Sequence, residues 1–184
     1  MRSQLIDARM GISAEEHRQA SLAIEGFLEE ALRDFPPQIL SAFWPFKAEV
    51  DLRPLMQRLQ AKGWTTALPR VVGRGKPLEF LRWTAEVEMD MGVHGIPVPK
   101  TRDVVQPDIL ILPLVGFDAH NHRLGYGAGY FDITLASRRP RPHTIGVGFE
   151  VCRLETIYPY PTDVPLDLIV TESGLQGKLG TDPS

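Results

Sequence analysis

Residues 108–114, Asp-Ile-Leu-Ile-Leu-Pro-Leu, constrain this chain more than any other stretch. A strand with one face in water alternates apolar and polar side chains. A continuous aliphatic run instead fits a strand covered on both faces, as in a parallel sheet. Such a sheet needs helices on each side, so the rest of the chain must supply them.

The chain does supply them. Ser13-Ala14-Glu15-Glu16 has the form of a capping box, and Ala20, Ile24, Phe27, Leu28, Ala31 and Leu32 recur behind it at helical spacing. Pro36-Pro37 closes that helix. Ile39 to Trp44 reads as a buried strand. Asp51 is placed to cap a second helix bearing Leu52, Leu55, Met56 and Leu59, which stops at Lys62-Gly63. Trp64 to Pro69 and Leu78 to Trp83 read as strands of a hairpin, with the turn at 72–77. Met91 to Gln106 is rich in Gly and Pro and is expected to be irregular. A helix through about Ser137 follows a glycine-rich stretch, and His143 to Phe149 and Leu166 to Val170 are the last strands. The expected fold is α/β, a three-layer sandwich around a mainly parallel, mixed sheet. One domain spans residues 1–184, with a flexible tail from about 175.

Composition narrows the function. A net charge of −3 disfavours a polyanionic partner such as nucleic acid. The single cysteine, Cys152, forms no internal disulfide and excludes a cysteine-built zinc site. No apolar run reaches membrane-spanning length, and the N-terminus lacks the apolar core of a signal peptide. The expectation is a cytoplasmic monomer that acts on small molecules.

Ligands of such sheets bind at the carboxyl ends of strands. Here those ends carry Trp44 to Glu49, Pro69-Arg70, Gly116-Phe117-Asp118 and Thr171-Glu172. The glycine stretch, RLGYGAGYFD at 123–132, lies between a strand and a helix start. Backbone N–H groups and the helix dipole favour an anion there. Gly125, Gly127 and Gly129 permit close approach, Arg123 offers a bidentate guanidinium, and Asp132 offers an oxygen that could hold Mg²⁺. The spacing matches neither the P-loop nor the dinucleotide fingerprint. On spacing alone, a phosphate cradle and a tight turn under a closely packed helix are equally good readings. Asn121, just upstream, sits where a turn can demand left-handed φ.

The run PLVGFDAHNHRLGYGAGYFD resembles the signature of the 5-formyltetrahydrofolate cyclo-ligase family, P-x-x-x-F-D-x-x-G-x-R-L-G-x-G-x-G-Y-[YF]-D. The ISAEE start of the first helix, EVDLRPL, LPRV, Gly95-Ile96-Pro97 and TDVPLDLIVTE agree in order, so the resemblance covers nearly the whole chain. It implies an ATP- and Mg²⁺-dependent closure of 5-formyltetrahydrofolate to the 5,10-methenyl form. It also implies that Arg2, Arg123 and the loop Leu124, Gly125, Tyr126, Gly127, Ala128, Gly129, Tyr130 and Phe131 bind ATP. Trp44, Glu49, Gly127, Gly129 and Tyr130 would border the folate, and Asp132 and Asp163 would hold magnesium.

Each of these residues also has a plainer reading. Trp44 suits a core, Glu49 a solvated cap, and Asp163 a turn between prolines. Arg70, Arg74 and Lys76 suit a solvated hairpin tip, with Arg70 the best candidate for a phosphate contact. Arg138, Arg139 and Arg141 suit an exposed helix end. His120 and His122 form an H-x-H pair without an evident third ligand. The chain also departs from the family pattern. It begins at Met1-Arg2, without the Lys that often precedes the first-helix arginine, and Ile133 stands where Arg is common. Asn121 replaces Gly, Val98 stands where Glu or Gln is frequent, and Thr162 where His is. These departures leave a second reading open, a folate- and nucleotide-binding module with weak or no turnover.

Overall fold

The structure, a computed structural model, describes residues 1–161 and 163–180. Along the chain come α1 (Arg2–Met10), α2 (Ala14–Leu32), β1 (Ile39–Ser41), α3 (Arg53–Ala61), β2 (Thr65–Arg70) and β3 (Glu79–Arg82). Then follow β4 (Met89–Met91), β5 (Pro97–Pro99), β6 (Val104–Val105), β7 (Ile109–Pro113), β8 (Gly116–Phe117) and β9 (Arg123–Leu124). The last elements are α4 (Tyr130–Ser137), β10 (His143–Val147), β11 (Leu168–Thr171) and β12 (Gly174–Gly177).

Eight strands form one sheet in the order β12-β11-β10-β7-β1-β2-β3-β6. The five from β11 to β2 pair in parallel, and β12, β3 and β6 add antiparallel edges. The expected mainly parallel, mixed sheet is therefore the observed one. Strand β7 shows why its sequence is continuously apolar. Ile109 and Ile111 enter the core beneath α2 and α3, while Leu110 and Leu112 enter the opposite core with Leu5 of α1 and Leu135 of α4. Burying each such side chain contributes about 1.5–3 kcal/mol.

Strand order reverses between β1 and β7. From β1 the chain crosses through α3 to β2 on one side, then returns through β6 to β7 on the other. A crevice opens at such a switch point, at the carboxyl ends of the strands. The segments leaving β1 and β7 supply the residues of the site described below.

Several local expectations need correction. The helix behind the capping box is present as expected but is not the first. Ser13 Oγ accepts from the Glu16 N–H at 3.2 Å, which starts α2 where the capping box indicates, but α1 precedes it as a separate element. Asp51 does accept from the Arg53 N–H at 3.1 Å, so it serves the first turn of α3. The stretch 91–106 is not wholly irregular, because β5 pairs with β4 and β6 pairs with β3. Nor does fraying from about 175 describe the tail up to 180: β12 pairs with β11 and Leu179 is buried. Its alternating exposure is that of an edge strand, which composition alone does not reveal.

Candidate functional site

The glycine stretch is held from upstream by Asp118. This carboxylate is 1% exposed and accepts from the N–H groups of His120 (2.9 Å), His122 (3.2 Å) and Ile157 (3.4 Å). Its oxygens are spent on the loop, so it is a structural anchor. Asn121 adopts φ 63°, the left-handed conformation expected from its place in the turn. Its amide donates to the Leu166 carbonyl at 3.1 Å and accepts from Gln176 at 2.7 Å, which ties the turn to β12. His122 Nδ1 lies 3.7 Å from the same Asp118, and no cluster of three metal-ligating side chains occurs among the described residues.

Beyond β9 the loop makes two left-handed turns, at Gly127 (φ 100°) and Gly129 (φ 73°). Gly129 is the N-cap of α4 and brings no side chain to cap it. The first-turn N–H groups of α4 are therefore left for a ligand or solvent. Arg2 Nε donates to the Gly125 carbonyl at 2.9 Å, so α1 braces this loop.

Arg123 lies in β9, at the start of the loop, with its side chain only 12% exposed. Burial lowers its pKa, while the charges of Asp132 and Asp163 oppose that shift. Both carboxylates therefore act on one guanidinium, and Asp132 Oδ1 stands 3.5 Å from it. A Cβ on Gly125 would lie 2.7 Å from Arg123 Nη1, so glycine gives the guanidinium its place against the loop. The Asp132 side chain is 77% exposed, and Asp163 Oδ2 accepts from the Tyr160 N–H at 2.8 Å. Two carboxylates of this kind fit Mg²⁺ in the mode where phosphate oxygens and water complete the shell. They do not fit a cage built by protein alone.

Across the loop lies Glu49, 6% exposed on the segment after β1. Oε1 accepts from the Phe46 N–H at 2.9 Å, and Oε2 accepts from the Tyr126 hydroxyl at 2.8 Å. Burial pushes the Glu49 carboxyl up to about 7, against the lowering effects of Tyr126 and Arg9. Burial likewise raises the Tyr126 hydroxyl, with the Glu49 charge adding to it. Arg9, 2% exposed, donates to the Tyr126 oxygen at 2.7 Å, to the Lys47 carbonyl at 2.9 Å and to the Leu114 carbonyl at 3.3 Å. The cavity beside Glu49 and Arg9 measures about 10 Å³, room for about one water.

Trp44 stands elsewhere. It lines an open cleft of about 340 Å³ with Arg53, Trp83 and Met89, and shares no lining residue with the Glu49 cavity. The Arg53 guanidinium sits 4.3 Å above its ring, a cation–π contact. Arg70 pairs with Glu79 across the hairpin, which accounts for the best phosphate candidate of that cluster.

Arg9 carries no sequence motif and escapes a reading of motifs. Its signal is the stripe Arg2, Leu5, Arg9, which lies along one face of α1 and includes that helix's two buried residues.

Fold and site together define an α/β protein with a glycine-rich loop and a buried carboxylate gathered at the switch point of its sheet. The model of the 5-formyltetrahydrofolate cyclo-ligase family matches residues 1–172. The 5-formyltetrahydrofolate cyclo-ligase of Escherichia coli K12 is 32% identical over 151 residues, covering 76% of this chain and 82% of the relative. That of Haemophilus influenzae is 26% identical over 178 residues, covering 92% and 95%. The NMR structure of Aquifex aeolicus 5,10-methenyltetrahydrofolate synthetase superposes with a TM-score of 0.83 at 26% identity, covering 100% of this chain and 94% of that one. The chain belongs to the 5-formyltetrahydrofolate cyclo-ligase family and is an enzyme of that class. No helix among the described residues is long and apolar enough to cross a membrane.

Proposed function

We propose that this enzyme closes 5-formyltetrahydrofolate to 5,10-methenyltetrahydrofolate at the expense of ATP, with Mg²⁺, and releases ADP and phosphate. The reading is carried by one juxtaposition. Arg123, flanked by Asp132 and Asp163, and the uncapped start of α4 lie on one side of the glycine loop. Glu49 lies on the other, bonded to Tyr126 of that loop.

The chemistry needs both sides. A formamide oxygen is a poor leaving group. Its attack on the γ-phosphorus of ATP expels ADP and leaves an N5-iminium phosphate. N10 then attacks the activated carbon and loses its proton, and cleavage of the C–O bond releases phosphate and closes the ring. The protein's share is to align the reactants and to balance phosphate charge.

Arg123, Arg2 and the backbone from Leu124 to Phe131 would bind the ATP phosphates. Asp132 and Asp163 would hold Mg²⁺, and the chemistry it supplies when bound is neutralisation of phosphate charge. Glu49 would accept from the ring N–H and amino groups of the pterin, with Gly127, Gly129 and Tyr130 beside it. Trp44 would take part only where the folate reaches its separate cleft.

The test follows the methenyl product by its near-ultraviolet absorbance after adding 5-formyltetrahydrofolate, ATP and Mg²⁺. Product formation that requires all three supports the proposal. Well-folded protein that binds folate in a calorimeter yet neither hydrolyses ATP nor forms product would overturn it.

A further inference from the structure

Arg9 is the largest fully buried side chain among the described residues, yet nothing in the proposed chemistry uses it. Its three donor contacts reach three separate segments. Nε meets Lys47 in the segment after β1, Nη1 meets Leu114 at the end of β7, and Nη2 meets Tyr126 in the glycine loop. The guanidinium therefore bridges the two sides of the switch point and anchors the loop above it.

These contacts fix a hydrogen atom. A guanidinium has donors and no acceptor. The Tyr126 oxygen must accept from Arg9, so its one hydrogen is directed to the other close partner, Glu49 Oε2 at 2.8 Å. Glu49 is thus held as an acceptor, with its second oxygen on the Phe46 N–H. The charged or titratable groups around it are Arg9 from α1, Tyr126 from the loop and Lys47 on its own segment. His17 of α2 joins them, bonded to the neighbouring Ala48 carbonyl at 2.8 Å.

We propose that Arg9 is a positioning residue: it fixes the Tyr126 hydroxyl as a donor to Glu49 and so presents that carboxylate as an ordered, ionised acceptor for the N–H groups of the pterin. This rests on the folate reading given above. The carboxyl's position near 7 fits such a role, since both neighbours work against its burial. The arrangement also makes the loop that faces the phosphates part of the pterin contact, because Tyr126 belongs to both.

The first readout needs no turnover. In protein labelled with ¹³C at the glutamate carboxyls, the Glu49 resonance is identified with Glu49→Gln and titrated without ligand. Tyr126→Phe and Arg9→Met should each move its midpoint up by about one pH unit or more, since each removes a group that favours the anion. Arg9→Lys should restore part of the shift in Arg9→Met by returning the charge.

The second readout is kinetic. At pH 7.5, Tyr126→Phe should raise the KM for 5-formyltetrahydrofolate about threefold, because a midpoint moved about one pH unit above 7 leaves about a quarter of Glu49 ionised instead of about three quarters. The defect should shrink at pH 9. Tyr126→Phe lies on a half-exposed loop residue, so it keeps the test valid if Arg9→Met fails to fold. A Glu49 midpoint unmoved in Tyr126→Phe overturns the proposal. So does a lower KM for the folate in that variant, which would make Tyr126 a plug that the substrate displaces. If the midpoints shift as expected but wild-type protein forms no methenyl product, the folate reading fails and the coupling of Arg9 to Glu49 stands.

Discussion

The two sides of the glycine loop are built on opposite principles. At the Glu49 side, a buried carboxylate and a buried guanidinium meet through the hydroxyl of a half-exposed phenol, and the three satisfy one another. At the Asp132 side, the carboxylate is exposed, its contact to Arg123 is long, and the first turn of α4 is uncapped. A preformed acceptor suits a neutral, planar ring whose donors sit at fixed positions. An open, incomplete cluster suits triphosphate and Mg²⁺, which bring charge and oxygen ligands of their own. The contrast shows where the molecule stores cost: burial strains ionisation at Glu49, whereas Asp132 stays solvated.

The largest expected effect tests that cost. The Glu49 carboxyl stands at about 7 in the fold against 4.5 when unfolded, so the folded state favours its protonated form. Its contribution to stability is full below pH 4.5 and is lost as pH rises to 7, about 3 kcal/mol in all. Glu49→Gln should therefore gain stability relative to wild type across that window, as measured by urea midpoints at pH 4.5 and 7.5. An unchanged difference would show that the carboxylate is not strained by burial.

Asp132→Asn should behave in the opposite way. Its stability should follow wild type at every pH, while kcat/KM falls about 100-fold, ~2.7 kcal/mol of transition-state stabilisation. A near-wild-type rate at limiting Mg²⁺ would remove Asp132 from the magnesium assignment.

Gly127→Val strikes the backbone between the two sides. At φ 100° a branched side chain is strained, and its Cβ would lie 3.8 Å from the Arg2 guanidinium carbon. A cost of about 2 kcal/mol in stability is expected. The KM for ATP should rise while the Glu49 carboxyl titrates as before. A shifted Glu49 midpoint would show that the loop carries strain across to the buried side.

These two sides were not equally legible in the sequence. The sheet was, because continuous apolar residues at 109–112 leave few alternatives to a doubly covered strand. So was Asn121, whose left-handed φ follows from turn chemistry. The glycine loop gave a chemistry only when joined to Arg123 and Asp132. Arg9 gave no signal of that kind: its partners lie 38, 105 and 117 residues away and depend on how α1 packs. Trp44 is a further case where placement depends on packing. Its residue type suits a folate wall, and it lines an open cleft that shares no lining residue with the cavity beside Glu49, a separation that five residues of sequence do not reveal. Strands β5 and β12 were hidden by their Pro and Gly residues, and β6, only two residues long, is too short to show a period.

The smallest expected effect asks how far the phosphate side extends. Arg70, Arg74 and Lys76 form a basic group on the β2–β3 hairpin, and Arg70 ends a parallel strand, where ligands bind in such sheets. Register places Arg70 directly opposite Glu79, and the two side chains pair across the strands. A cross-strand ion pair at the surface accounts for Arg70 without a ligand. Arg70→Ala should then cost at most about 1 kcal/mol in stability, and less at high salt, since exposed pairs are weak and screened. The KM for ATP should not change. A rise of several-fold, reversed by Arg70→Lys, would mean that Arg70 leaves Glu79 to meet the triphosphate. The phosphate side would then reach across the switch point to the hairpin.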